Sequence, residues 1–303
     1  MESLFASKEI AVIKQLAPIL VFAVLLSPHP LSGQSANPGM APSGFVEVDG
    51  SKLYYEECGT GPDAVVLLHD GLANSAVWDG IWPAFCKRYH TIRYDRRGFG
   101  RSPETKKPYY RADDLAAVLH DRKISYAAIV ASSNGGQVAM EFALRYGAYV
   151  SDLVLVGSAA GDFAYSEHFM KRERETWSSD KVPELIDATL RDPYVIVPGH
   201  DDAKKRLRAI LEAAPQDLTH SDMPLWEKPV LPRVHELGIP VLILIGSGDI
   251  GDNHAIAGAL ATLIPGAMRV VVPDTGHLMY LEKPDEFFRL VDRFLAAHGF
   301  PTH

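Results

Sequence analysis

Ser133 stands in the run Ala131-Ser132-Ser133-Asn134-Gly135-Gly136, between the apolar stretch 126–130 and a helix-patterned segment at 137–146. A serine on a tight strand-to-helix turn is held out where its hydroxyl can attack a carbonyl carbon. So sharp a turn tolerates only small residues two positions before and two after the nucleophile, the G-x-S-x-G pattern. Ser133 meets that demand with Ala131 and Gly135. Centring the turn on Ser132 would put β-branched Val130 and Asn134 at the crowded positions, where a valine clashes. A serine hydroxyl is a poor nucleophile at neutral pH, and it needs an imidazole to take its proton and a carboxylate to orient that imidazole. His277, in Thr275-Gly276-His277-Leu278, follows the last predicted strand, and Asp249, in Gly246-Ser247-Gly248-Asp249, follows the apolar run 241–245. Both fall at the carboxyl ends of strands, where the loops of a parallel sheet open into one crevice. Asp252 and Asp162 are rival carboxylates. Asp249 lies nearest its strand and keeps the order serine, acid, histidine, whereas Asp252 is the better cap for a helix beginning near Asn253.

The elements that must hold these residues alternate along the chain. Predicted strands at 45–48 and 53–57 flank Asp49-Gly50, a hairpin signal, and are followed by strands at 64–68, 90–94, 127–131, 152–156, 241–245 and 269–272. Helical patterning covers 78–89, 113–121, 137–146, 255–263 and 286–297. This alternation predicts an α/β architecture, a mainly parallel sheet with helices on both faces. It stops after Gly161 and resumes at Ile239, and the intervening stretch is helical in pattern and interrupted by prolines. That is too long for a connection and predicts an inserted structure.

The formal net charge of -8 argues against a nucleic-acid binder, and Lys171-Arg172-Glu173-Arg174 interleaves base with acid, as a solvated helix face does. Residues 1–36 have the layout of a secretory signal: Lys8 and Lys14, an apolar block at 17–26, then Ser32-Gly33-Gln34-Ser35-Ala36. The apolar block is about half the ~20 residues needed to cross a bilayer, so the expected mature protein carries no stable membrane anchor and is secreted or periplasmic. Cys58 and Cys86 are the two cysteines of the chain; one bridge between them is open, but separate, semi-buried thiols are the favoured reading, since nothing in the sequence brings the two Cα atoms within bridging range. His200-Asp201-Asp202 has no partner pair at ligand spacing and no phosphate-cradling glycine loop is present, so neither metal nor cofactor is expected.

Together these residues resemble the α/β-hydrolase family, in its cap-bearing esterase, lactonase and C-C hydrolase type. The similarity runs from about Phe45 to Leu295. Tyr94-Asp95-Arg96-Arg97-Gly98-Phe99-Gly100-Arg101-Ser102 is similar to the family's D-x-R-G-x-G-x-S run, which is mainly architectural, and Gly276-His277 with Glu282, Pro284 and Phe287 matches its histidine segment. The resemblance implies an eight-stranded α/β-hydrolase core over 37–160 and 233–303 with a mostly helical cap at 161–232. Among possible cap wall residues are Phe163, Phe169, Trp177, Tyr194 and Trp226. The resemblance also implies an oxyanion hole made by the backbone N–H of Asn134 and that of Gly71, with Leu72 the alternative to Gly71. In Leu67-Leu68-His69-Asp70-Gly71-Leu72, Asp70 takes the place of the family's glycine. A carboxylate there opposes an oxyanion unless it turns away or is neutralised.

The activity this implies is hydrolysis of an ester-like or activated carbonyl bond in a small organic substrate, by Ser133, His277 and Asp249 through an acyl-enzyme. Activity should rise with pH as His277 loses its proton, with a midpoint of about 6 to 7.5. Serine in the nucleophile position disfavours haloalkane dehalogenase and epoxide hydrolase chemistry, for which the family uses aspartate. A ligand-binding protein that does not turn over and a cofactor-free perhydrolase remain as alternatives on the same scaffold.

Overall fold

The computed structural model describes residues 42–221, 224–225 and 228–302. The expected signal segment 1–36 and Trp226 lie outside the described residues. Eight strands, β1 (Ser43–Val48), β2 (Ser51–Cys58), β3 (Asp63–Leu68), β4 (Thr91–Tyr94), β5 (Tyr126–Ser132), β6 (Val150–Val156), β7 (Val241–Gly246) and β8 (Met268–Val272), form one sheet. Their order is β1-β2-β4-β3-β5-β6-β7-β8. The hairpin β1–β2 turns at Gly50, whose φ of 69° suits glycine, and β2 runs antiparallel to β4. From β4 to β8 all pairings are parallel.

Register brings the chemistry together. Leu68 lies opposite both Tyr94 and Ala131, Ser132 opposite Val156, Val156 opposite Leu244, and Gly246 opposite Val272. The carboxyl ends of six neighbouring strands are therefore level, and the loops that leave them meet along one rim. After β3 the chain places its next strand on one side and β5 on the other, the switch point at which such sheets open a crevice.

The strands are apolar on both sides because both sides are covered. Val66, Leu68, Ile129, Leu155 and Ile243 pack with residues of α2 (Arg111–Asp121), α3 (Asn134–Tyr146) and α7 (Gly251–Leu263). Val65, Leu67, Val130, Val154 and Leu244 pack on the other face with α1 (Trp82–Arg88), α8 (Met279–Glu282) and α9 (Pro284–Ala297). Residues 157–240 leave the sheet after β6 and carry α4 (Glu167–Thr176), α5 (Val182–Arg191) and α6 (Asp201–Ala213) before returning at β7. Leu185, Ile186, Leu207 and Leu211 from this stretch join Trp78 and Tyr280 in the second core. The Asp95 run is architectural as expected: Asp95 accepts Ser75 N–H, Ser75 Oγ and Arg101 N–H, and Arg97 forks onto buried Asp114 at 2.8 and 2.7 Å.

Two expectations are corrected. The helix predicted at 78–89 is divided into a 3-10 turn at Ser75–Trp78 and α1, because Pro83 fits only the first turn of a helix. Cys58 and Cys86 are not separate thiols but a disulfide, with Cα atoms 5.4 Å apart. The cause is tertiary: antiparallel pairing sets Cys58, at the end of β2, opposite Thr91 at the start of β4, and α1 delivers Cys86 just before that strand. Closing a loop of 28 residues restrains the unfolded chain. Replacing both cysteines by alanine should lower unfolding free energy by about 3 kcal/mol in urea titration; an unchanged midpoint would show the bridge to be inert.

Candidate active site

Ser133 ends β5 and opens α3 with φ 52° and ψ -119°, a backbone conformation that an L-residue keeps only where its surroundings enforce it. Three backbone bonds do so: Ser133 N–H donates to Val156 O at 2.9 Å, and the Ser133 carbonyl accepts from Gly136 and Ala159 at 2.9 and 3.0 Å. A Cβ on Gly135 would lie 2.4 Å from His69 O and 2.8 Å from Leu68 O, so the steric argument that set the register on Ser133 has a physical object. Ser132 points the other way. It is fully buried, and its Oγ lies 3.2 Å from Tyr280 Oη, whereas Ser133 is partly exposed.

His277 Nδ1 lies 2.9 Å from Asp249 Oδ2. A carboxylate at that distance places the ring proton on Nδ1 and leaves Nε2 as the acceptor. Asp249 is itself fixed, with Oδ1 accepting Ile250 N–H at 2.7 Å and Asn253 Nδ2 at 2.9 Å. Burial opposes the imidazolium, but the charge and hydrogen bond of Asp249, with Asp70 further off, outweigh it, and the pKa of His277 rises above its ordinary 6.5. Gly157, with φ 50°, lies beneath the pair: a Cβ there would stand 2.9 Å from His277 Nδ1 and 3.1 Å from Asp249 Oδ2. Val156, which holds Ser133, is its neighbour in the chain. The serine turn and the imidazole–carboxylate pair thus meet at one Val-Gly unit.

The rival carboxylates are occupied elsewhere. Asp162 accepts Leu231 N–H, and Asp252 accepts Ser166 N–H and Oγ at 2.6 and 2.7 Å. Asp252 is also not the cap of α7, as its position suggests; Ile250 holds that place, and Asp252 lies in the first turn, where its charge suits the helix dipole.

Gly71 and Asn134 are neighbours, since a Cβ on Gly71 would stand 3.4 Å from Asn134 Cβ. The alternative donor, Leu72 N–H, is already given to Asp70 Oδ1 at 2.6 Å. Asp70 is turned into its own loop: Oδ1 also accepts Ala73 N–H, and Oδ2 accepts Tyr280 Oη at 2.7 Å. Burial, and after it the Asp70 charge, push the Tyr280 phenol well above its ordinary pKa, so it stays a donor.

Several supports run through backbone groups, and Glu282, matched in the histidine segment, anchors two of them. His277 N–H donates to Tyr194 O at 2.8 Å and Leu278 N–H to Val195 O at 3.1 Å, while Glu282 accepts both Gly276 N–H and Val197 N–H at 2.7 Å. Asn253, which orients Asp249, is a further residue that the motifs do not single out.

A sequence model described as the alpha/beta hydrolase family matches residues 65–290. Over 259 residues the chain is 26% identical to a pimeloyl-[acyl-carrier protein] methyl ester esterase of Nitrosomonas europaea, covering 80% of this chain and 99% of that protein. It is 25% identical to a 2-hydroxy-6-oxo-6-(2'-aminophenyl)hexa-2,4-dienoic acid hydrolase of Metapseudomonas resinovorans, covering 84% of this chain and 91% of that one. Among solved structures, Est816, an N-acyl homoserine lactone degrading enzyme, superposes with a TM-score of 0.69 at 27% identity, over 83% of this chain and 100% of that one. The enol-lactonase of Burkholderia xenovorans shares the fold at a TM-score of 0.72 and 22% identity, over 84% and 100% of the two chains. With a level parallel sheet, a serine on a strained strand-to-helix turn and a family match spanning most of its length, the chain belongs to the alpha/beta hydrolase family, as a hydrolase enzyme.

Proposed function

We propose that the protein cleaves an ester-like or activated carbonyl bond of a small organic substrate, with Ser133 as nucleophile, His277 as base and then acid, and Asp249 as the group that orients and stabilises the imidazole. The observation that carries this reading is the pairing of His277 with Asp249 at 2.9 Å on Gly157, next to the residue that holds Ser133. Ser133 Oγ adds to the carbonyl carbon while its proton passes to His277 Nε2. The N–H groups of Gly71 and Asn134 receive the oxyanion. Collapse expels the leaving group with the proton from His277, and water, deprotonated by the same nitrogen, releases the acid from the acyl-enzyme. Relatives named as an ester hydrolase, a C-C hydrolase and a lactone-degrading enzyme support a carbonyl substrate. Residues 161–232 act as a cap that selects it, a role supported by the grip of Tyr194 and Val195 on the histidine loop.

The protein works outside the cytoplasm, secreted or periplasmic, which the signal-like residues 1–36 and the Cys58–Cys86 bridge support. Expression of the full chain should yield a protein whose N-terminus, read by mass spectrometry, lies near Asn37 in the extracytoplasmic fraction. An intact N-terminus in the cytosol would refute this.

Ser133→Ala should lower kcat on a p-nitrophenyl ester by roughly 10⁴- to 10⁶-fold while leaving the fold intact; retained turnover would remove Ser133 from the mechanism. Because the base must be neutral to accept a proton, and its pKa is raised in the folded protein, kcat/KM should climb with pH through a midpoint above 6.5 and fall away below it. A profile flat from about pH 5 to 9 would exclude a histidine base.

A further inference from the structure

Arg96 lies in the architectural run after β4, yet its side chain reaches the two places where oxyanion donors are proposed. Its guanidinium is buried, with Nη1 donating to Asn134 Oδ1 at 2.6 Å and Nη2 donating to the Asp70 carbonyl. That carbonyl belongs to the same peptide unit as Gly71 N–H. In a planar trans peptide the two groups point in opposite directions, so holding the oxygen aims the hydrogen. His69 adds a second hold. Its Nε2 accepts Arg96 N–H at 3.0 Å, which puts its proton on Nδ1, and Nδ1 lies 2.8 Å from the same Asp70 oxygen. Burial drives the His69 pKa well below its ordinary value, so the ring stays neutral and keeps this pattern. Arg96 also lies over the Phe99 ring, 4.7 Å from its centroid. Burial lowers its own pKa to about 10, and the group remains a cation at neutral pH.

We propose that Arg96 is the positioning residue of the oxyanion hole: gripping the Asp70–Gly71 peptide and the Asn134 side chain together, it sets the spacing and direction of both N–H donors and polarises the first. A cation bonded to a peptide oxygen strengthens the hydrogen bond made by that peptide's N–H. Its charge also offsets buried Asp70, whose carboxylate would otherwise weaken the hole. The proposal rests on the serine mechanism above and adds to it a residue that never touches substrate.

The test compares wild type, Arg96→Met, Arg96→Lys and Ser133→Ala on a p-nitrophenyl ester, with active sites counted by the burst of p-nitrophenol and phenylboronic acid as the tetrahedral mimic. For Arg96→Met, kcat per titrated site should fall roughly 10- to 100-fold, less than the ~10²–10³ for deleting a donor outright, with KM within about threefold. Affinity for phenylboronic acid should fall with kcat/KM, and the pH midpoint should stay in place because the base is untouched. Arg96→Lys should lie between, since an ammonium keeps the charge but lacks the planar fork that spans both acceptors. A fold role alone would lower the number of titrated sites and leave kcat per site unchanged, and that result overturns the proposal, as does a loss confined to KM. If Arg96→Met does not fold, Asn134→Ala, which removes one acceptor and keeps the N–H, should lower kcat roughly 3- to 10-fold with KM unchanged; wild-type kcat there overturns the proposal equally. Activity surviving in Ser133→Ala would bring down the serine mechanism itself, whereas an inert Ser133→Ala beside a wild-type-like Arg96→Met would bring down only the role of Arg96.

Discussion

The structure depends on how closely the Ser133 turn approaches the end of β3. Gly135 lies so near the carbonyls of Leu68 and His69 that a single methyl group would overlap both. This contact sets the level at which β5 ends against β3, and it puts Gly71 beside Asn134. Beside it, three backbone hydrogen bonds hold Ser133 at positive φ where the chain enters α3. The exposure of Ser133, the placement of Gly71 beside Asn134 and the strand register are one packing problem solved at one glycine.

Asp70 shows how a buried carboxylate is accommodated beside the proposed oxyanion donors. A buried carboxylate beside a developing oxyanion is unfavourable unless its lone pairs are filled. Here they are filled by the N–H groups of Leu72 and Ala73 and by the Tyr280 phenol. The carboxylate thereby acts as the internal strut of the loop that carries Gly71. Tyr280 follows His277 by a few residues, so the same strut joins the loop after β3 to the segment that carries the histidine.

What could be read from the sequence followed from short-range rules. Small residues around Ser133 identify it over Ser132, and distance from a strand end favours Asp249 over Asp252 and Asp162, because in both cases the decisive sterics or topology are local. The disulfide was not legible: Cys58 and Cys86 meet only through the antiparallel pairing of β2 with β4, a long-range pairing that no local pattern announces. Pro83 announced a helix start that a window averaged over 78–89 conceals. The grip of the Tyr194 and Val195 carbonyls on the histidine loop runs through main-chain atoms, which leave no trace in residue type, whereas Val197 N–H is taken by the Glu282 carboxylate of the recognised histidine segment. Arg96 stands inside a run read as architectural, so its contacts with Asn134 and the Asp70 carbonyl carry no separate sequence signal.

Those main-chain contacts constrain which parts of the inserted stretch can change. The stretch between β6 and β7 shares a core with α1, α8 and α9, and it also supplies the carbonyls that hold His277 and Leu278. Gly276 is packed so tightly that a Cβ would stand 2.7 Å from Tyr194 O. Side chains of the inserted helices can therefore change while these carbonyls stay in place, but a shift of the backbone at 194–197 displaces the imidazole with it. Side chains of this stretch are free to vary while its main chain is constrained, a division imposed by the use of one segment both to fill the second core and to hold the histidine loop.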